Sequence, residues 1–276
     1  MDNLLLTIII IFLIMGLNTT VASLYLPTNA NTVDKSKKGG GNMNYKVCLL
    51  LLVIFVSGCA TQGINTSEYT PPQSIKVNNE IELQTPQPQV WDILVKELSK
   101  SFYVINNIDK ESRIINVSFS SNSPAEYLDC GKTYRTYVQG DKKEVYHYDT
   151  ANSSQFKFAT SLQQHKSFAY YINARRETML DGRSNIYVAP SEKEKNNTVV
   201  TVNTRYILNF KMKGDGITEN IHGNIVSSQR LPEETFTIML NTNQRGQHEL
   251  KEGTIYCYSK GKLEKDILDM VRGGSK

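Results

Sequence analysis

The chain has 276 residues, a formal charge of +4, 39% hydrophobic residues and 21% charged residues. That composition excludes disorder throughout and leaves room for one large domain or two small ones. The charge is too small to point to nucleic acid, and removing residues 1–58, with four lysines and two aspartates, leaves a near-neutral +2.

Two apolar runs come first. Residues 4–17 are short for a bilayer-spanning helix and carry only Asp2 ahead of them, with no basic leader. Residues 47–56 follow Met43-Asn44-Tyr45-Lys46, so a methionine, a lysine and an apolar core stand in the order of an export signal. That run closes on Val56-Ser57-Gly58-Cys59, small residues leading to a cysteine. The segment resembles the lipobox of bacterial lipoproteins. The resemblance implies acylation of the Cys59 thiol, cleavage between Gly58 and Cys59, and acylation of the new amine. Several acyl chains hold a protein on a membrane without a spanning helix. Ala60 is not the aspartate that resembles an inner-membrane retention signal, so the expectation is the periplasmic face of a Gram-negative outer membrane.

The stretch "KSKKGGGN" just before Met43 reads like a translated purine-rich ribosome-binding site. Residues 1–42 are therefore expected to be an over-extension of the start. The alternatives are an extra N-terminal anchor or a signal cut after Thr20-Val21-Ala22. Residues 43–58 are then the signal peptide. Residues 59–74 are a polar, Pro-Pro-containing tether, and 75–276 a single periplasmic domain.

"SIKVNNEIEL" alternates as a strand, and Thr85-Pro86 reads as the N-cap and first position of a helix. Val90, Trp91, Leu94, Val95 and Leu98 give that helix an apolar stripe. Trp91, the single tryptophan, is read as core, with a ligand platform as the other reading. "FYVINNIDKESRIINVSFS" is two β-rich runs around a polar turn at residues 109–112. In the middle, "KTYRTYV", "EVYHYDT" and "QFKFATS" alternate aromatic and polar residues. Such tyrosine ladders serve cross-strand packing or bind glycan and peptide.

Asp181-Gly182 reads as a turn. "NIYVAP" and "NNTVVTVNTRYILNFKMKG" are then expected as a long antiparallel hairpin across "SEKEK", with Val200, Val202, Tyr206, Leu208, Phe210 and Met212 on one face. A strand around Phe236, Ile238 and Leu240 follows. A last helix carries Leu263, Ile267, Met270 and Val271, stopped by Gly273-Gly274. The sum is an α+β fold, an antiparallel sheet with helices packed on one face in strand–helix–strand–strand units.

Cys48 falls within the signal, which leaves Cys130 and Cys257. An even pair in an oxidising compartment reads as a disulfide. His147, His165, His222 and His248 are dispersed and show no metal-ligand spacing, so no metal and no cofactor are expected. No nucleophile or phosphate-loop motif occurs. Asp109, Glu111, Asp141 and Asp149 are the carboxylates that could pair as in a glycosidase, and turn solvation is their plainer reading. A degradative enzyme is thus the third-ranked reading and no catalytic residue is assigned.

Together, the lipobox, the tether, "TPQPQVWDILVKELSKSFYVINNIDKESRIINV", "YLDCG" and "CYSKGKLEKDI" resemble BamC-like outer-membrane lipoproteins of the β-barrel assembly machine. About 35 residues, the helix from Pro86 and the hairpin after it, carry most of the likeness, and the tyrosine-rich middle departs from it. The resemblance implies helix-on-sheet units and a non-enzymatic envelope scaffold or accessory factor. Its partners would be a membrane, through the lipid anchor, and an envelope protein complex. A glycan- or peptidoglycan-binding lipoprotein using the tyrosine strands is the alternative.

Overall fold

Two neighbouring strands of 23 residues each, Phe168–Pro190 and Thr198–Asn220, pair antiparallel along their whole length. At ~3.3 Å per residue this hairpin extends for about 75 Å. Everything else is hung on it. The computed structural model describes residues 63–159, 168–220, 222–251 and 253–274. In chain order the elements are β1 (Ile64–Thr70), β2 (Glu80–Leu83), α1 (Gln87–Lys100), β3 (Val104–Asp109), β4 (Ile114–Ser121), β5 (Leu128–Asp129), β6 (Lys132–Gln139), β7 (Lys142–Asp149) and β8 (Ser154–Ala159). Then come the hairpin strands β9 and β10, β11 (Ile225–Arg230), β12 (Glu234–Asn241), β13 (Gly246–Leu250), β14 (Gly253–Ser259) and α2 (Lys262–Gly274).

Along its free side β10 pairs in turn with β2, β12 and β11, while β9 pairs with β4 and β8. β3 extends the sheet beyond β4. Two three-stranded sheets complete the fold, β1-β6-β7 and β13-β14-β5. Strands make up 60% of the structure and helices 14%, so the α+β expectation is overturned: the fold is mostly β, in several antiparallel sheets. The two helical stripes are strong local signals and draw attention to the ends of the chain. Strands that tip the class, such as β1, β11 and β13, are short and largely polar, and β1 also takes a partner far away in sequence.

The half of the hairpin near the 191–197 connector holds the main core. Even-numbered residues of β9 and β10, among them Leu180, Ile186, Val188, Val200, Val202, Tyr206 and Leu208, face one side and are fully buried. Val90, Trp91, Leu94 and Leu98 of α1 and Leu263, Ile267 and Val271 of α2 join them in one cluster. The two stripes expected from sequence are thus buried where helical spacing puts them, and the expected hairpin with one wet side forms.

Several local expectations change. Pro86 is itself the N-cap and α1 starts at Gln87, one residue later than Thr85-Pro86 as cap and first position. Only Glu80–Leu83 of "SIKVNNEIEL" is a strand. Ile64–Thr70, assigned to the tether, is strand β1, registered against β6 from Ile64↔Val138 to Thr70↔Lys132. Asp181-Gly182 is not a turn, because β9 runs straight through it. Gly182 is there because the Phe119 ring lies where a Cβ would go, so the glycine marks a close approach inside a strand.

Candidate functional site

Cys59 and Gly58 lie outside the described residues, as do the signal, residues 1–42 and His165. Cys130 and Cys257 are placed as a disulfide pair with their Cα atoms 4.1 Å apart, both buried in the main core. The bond spans 127 residues and ties the start of β6 to β14. Beside it Tyr69 of β1 makes a second tie, its hydroxyl accepting from Tyr256 N at 3.0 Å and donating to Tyr256 O at 3.3 Å. Gly131, at φ +74°, makes the sharp exit from Cys130, where a side chain would meet the Thr70 carbonyl.

The carboxylates read as possible acid–base partners are not brought together. Asp109 and Glu111 sit at the β3–β4 turn, where Asp109 accepts from Ser112 N at 3.0 Å. Asp141 and Asp149 lie at opposite ends of β7 in another sheet. His147 stacks on Tyr134 at 4.2 Å, His248 stacks on Phe236 at 4.3 Å, and His222 is exposed. Among the described residues no group of three or more His, Cys, Asp or Glu side chains is placed to share a metal ion.

The tyrosine ladder largely faces inward. Tyr137, Tyr171 and Ile217 form a small buried cluster where β6 meets the hairpin. Tyr148 stacks over Phe156 at 6.0 Å, and guanidinium groups cap both rings, Arg135 at 4.6 Å over Phe156 and Arg176 at 4.7 Å over Tyr148. Arg176 is 6% exposed and donates to the Asn152 carbonyl at 2.7 Å, clasping the β7–β8 turn. Desolvation brings its guanidinium down to about 10, still charged at neutral pH.

Around this cluster runs a belt of charge. Lys142 donates to Glu219 at 2.6 Å, Lys157 to Glu144 at 2.6 Å and Lys213 to Glu177 at 2.6 Å. Glu219 is held below the ordinary carboxylate range by the Lys142 hydrogen bond. For Glu144 burial pulls upward, but hydrogen bonds from Lys157 and Tyr146 prevail and lower it. Burial and the Glu144 contact push the Tyr146 phenol up to about 12. Every one of these carboxylates is already neutralised by a lysine, which suits a fastening better than proton transfer.

What remains open is the edge of the large sheet. β3 pairs with β4 on one side only, and among the described residues no strand covers the other. Phe102, Val104 and Ile108 are exposed along it, at 64, 60 and 42%. Edge strands are commonly protected by Lys or Pro, and β3 contains neither; one bulge between Ile105 and Asn107 is its guard. At the far end of the sheet β11 is exposed along its whole length, with Ile225 and Val226 standing out. The β-rich sequence of 104–109 signalled a strand, but nothing in it signalled that the strand would lie at an edge.

Comparison of the chain with protein-family models, with curated proteins and with solved structures finds no match. The site is therefore read from its own geometry.

Proposed function

We propose that the chain is a lipid-anchored outer-membrane lipoprotein, facing the periplasm, that acts without catalysis as an envelope scaffold or accessory factor through protein contacts. The observation that carries this is the unpaired, apolar β3 edge. It offers main-chain donors and acceptors to an added strand and side chains to grip it, the mode called β-augmentation. The lipobox at Cys59 supports the anchor, and the likeness to BamC-like lipoproteins supports the same setting.

Two measurements test it. Cys59→Ala should abolish palmitate incorporation and leave a slower-migrating precursor; unchanged lipid labelling removes the anchor. A photo-crosslinking amino acid at Val104 or Ile108 should capture a discrete envelope protein in intact cells, while one at exposed Asp92 on α1 should not. Equal capture at all three positions removes the docking edge.

A further inference from the structure

On the face of the large sheet opposite the helices, Arg183, Asn185, Tyr187, Asn203 and Arg205 are exposed, and the side chains fall in rows. Residues directly opposite each other across strands share a face, with Cβ atoms about 5 Å apart. One row consists of asparagines: Asn107 on β3 opposes Asn116 on β4, Asn116 opposes Asn185 on β9, and Asn185 opposes Asn203 on β10. Asn79 adds a fifth, donating to Asn203 Oδ1 at 3.0 Å, and Asn116 donates to Asn185 Oδ1 at 2.6 Å. Two positions further along, Arg183 and Arg205 stand directly opposite each other. Both are exposed, and both line one groove with Asn185, Asn203 and Asn241.

Like charges facing each other across a strand pair repel, so their presence calls for a counter-charge. Neither arginine has an ion pair among the described residues. Among the described residues Arg183 has no side-chain partner, and Arg205 donates only to the Met239 sulfur at 3.4 Å. Asp181, two residues from Arg183 on the same strand, is engaged by Ser120 at 2.6 Å and Asn209 at 3.3 Å instead. Two guanidinium groups side by side form a receptor for one carboxylate or similar oxyanion.

The neighbours identify what carries that anion. Each amide both donates and accepts, as a sugar hydroxyl does, so a line of amides matches a polyhydroxylated chain. Tyr187, 43% exposed and two residues beyond Asn185, offers a ring to the apolar face of a sugar. A nucleic acid would need a cation for most phosphates and several stacking rings; the next opposed cations on this face, Arg175 and Lys213, lie eight residues along the hairpin, and Lys213 is already held by Glu177. An extended acidic peptide would pair with a sheet edge rather than lie across a face.

We infer that this face, centred on Arg183 and Arg205 and flanked by the asparagine row, binds an acidic glycan through its carboxylate. The arginine centre lies on β9 and β10, with β4 between it and β3, so its failure would leave the protein-contact proposal untouched.

The test uses full-length protein on an array of uronic, sialic and muramic acid oligosaccharides beside their uncharged methyl esters. At least one acidic chain should bind ten-fold or more tightly than its ester, with affinity falling as salt rises, and should raise the thermal midpoint. Arg183→Gln and Arg205→Gln should each weaken that binding at least ten-fold. Their unliganded thermal midpoints should equal or exceed the wild-type value, since each relieves the repulsion. Asn185→Ala should weaken acid and ester alike. Retention of no acidic glycan, equal binding of acid and ester, or undiminished binding by both arginine variants would overturn the inference. Equal affinity for an oligoglutamate of the same charge would also overturn it, by showing a general polyanion surface.

Discussion

The two halves of the central hairpin are held by different physics. Near the 191–197 connector, Val200, Val202, Tyr206 and Leu208 are sealed under α1 and α2 in a continuous apolar cluster. Towards Phe168 and Asn220 the apolar cluster shrinks to Tyr137, Tyr171 and Ile217, and lysine–carboxylate pairs with ring–guanidinium contacts do the fastening. Apolar burial is insensitive to salt and is shared by many neighbours, whereas exposed ion pairs are each worth under about 1 kcal/mol and are screened. One uninterrupted strand pair can therefore be rigid at one end and loosely fastened at the other.

The largest effect should come from the core of the first half. Trp91 is 4% exposed beneath the sheet, so Trp91→Ala should cost about 3–5 kcal/mol. Denaturant unfolding should show the loss as a lower midpoint with both halves melting together. A Trp91→Ala protein of wild-type stability would place the stability elsewhere.

Next comes the tie between the halves. Replacing Cys130 and Cys257 together by Ala should lower stability by about 2–4 kcal/mol, the usual range for a long closed loop. Hydrogen exchange should then rise in β6 before it rises in β9. Free thiols at both positions in exported protein, titrated without reductant, would show that the bond does not form.

A smaller effect, shared by both halves, appears at high pH. Burial, and then the neighbouring Glu264 carboxylate, raise the Tyr206 phenol, which donates to Glu264 at 2.8 Å. Burial raises Tyr103 and Tyr137 as well. A folded-state value above the unfolded one of 10.0 means the folded protein holds its proton longer. Stability is then full below about pH 10 and falls as pH rises past it. Tyr206→Phe should flatten that alkaline fall while costing about 1–2 kcal/mol at neutral pH, because Glu264 loses a donor. An unchanged alkaline slope would assign the fall to other groups.

The smallest effect belongs to the charge belt. Glu219→Gln breaks the Lys142 contact and should shift global stability by no more than about 0.5 kcal/mol. Amide exchange in β6, β7 and the end of β10 should nonetheless quicken, and 1 M salt should mimic the change in the wild type. Protection that falls equally in β9 near Ile186 would erase the difference between the halves.

Much of the first half was legible in the sequence, since its signals are local. The spacing of Trp91, Leu94 and Leu98, the turn at 109–112, and the alternation from Val200 to Phe210 each specify an element within a dozen residues. The half-exposed strands of the middle were legible too, as was the pairing of the two cysteines left in the body. Pairing was not. Ile64–Thr70 is polar and lies in a stretch that reads as linker, and becomes a strand because β6, 62 residues later at its nearest, gives its backbone a partner. Gly182 looked like a turn because a glycine beside an aspartate commonly is one; only the Phe119 ring above it explains the residue.

The same division holds for the candidate sites. The sequence by itself determined the helices, the core stripe, the cysteine pair and the lipobox-like segment, all of which depend on residue type at short spacing. The tertiary structure alone decided that β3 is an edge and that asparagines from β3, β4, β9, β10 and the segment before β2 form one row. It also decided that Arg183 meets Arg205. Those facts arise from register between strands that bring together residues as distant as Asn116 and Asn185, 69 apart, and from the Asn79–Asn203 contact across 124 residues; register is set by which backbones hydrogen-bond, information that no single stretch of sequence carries.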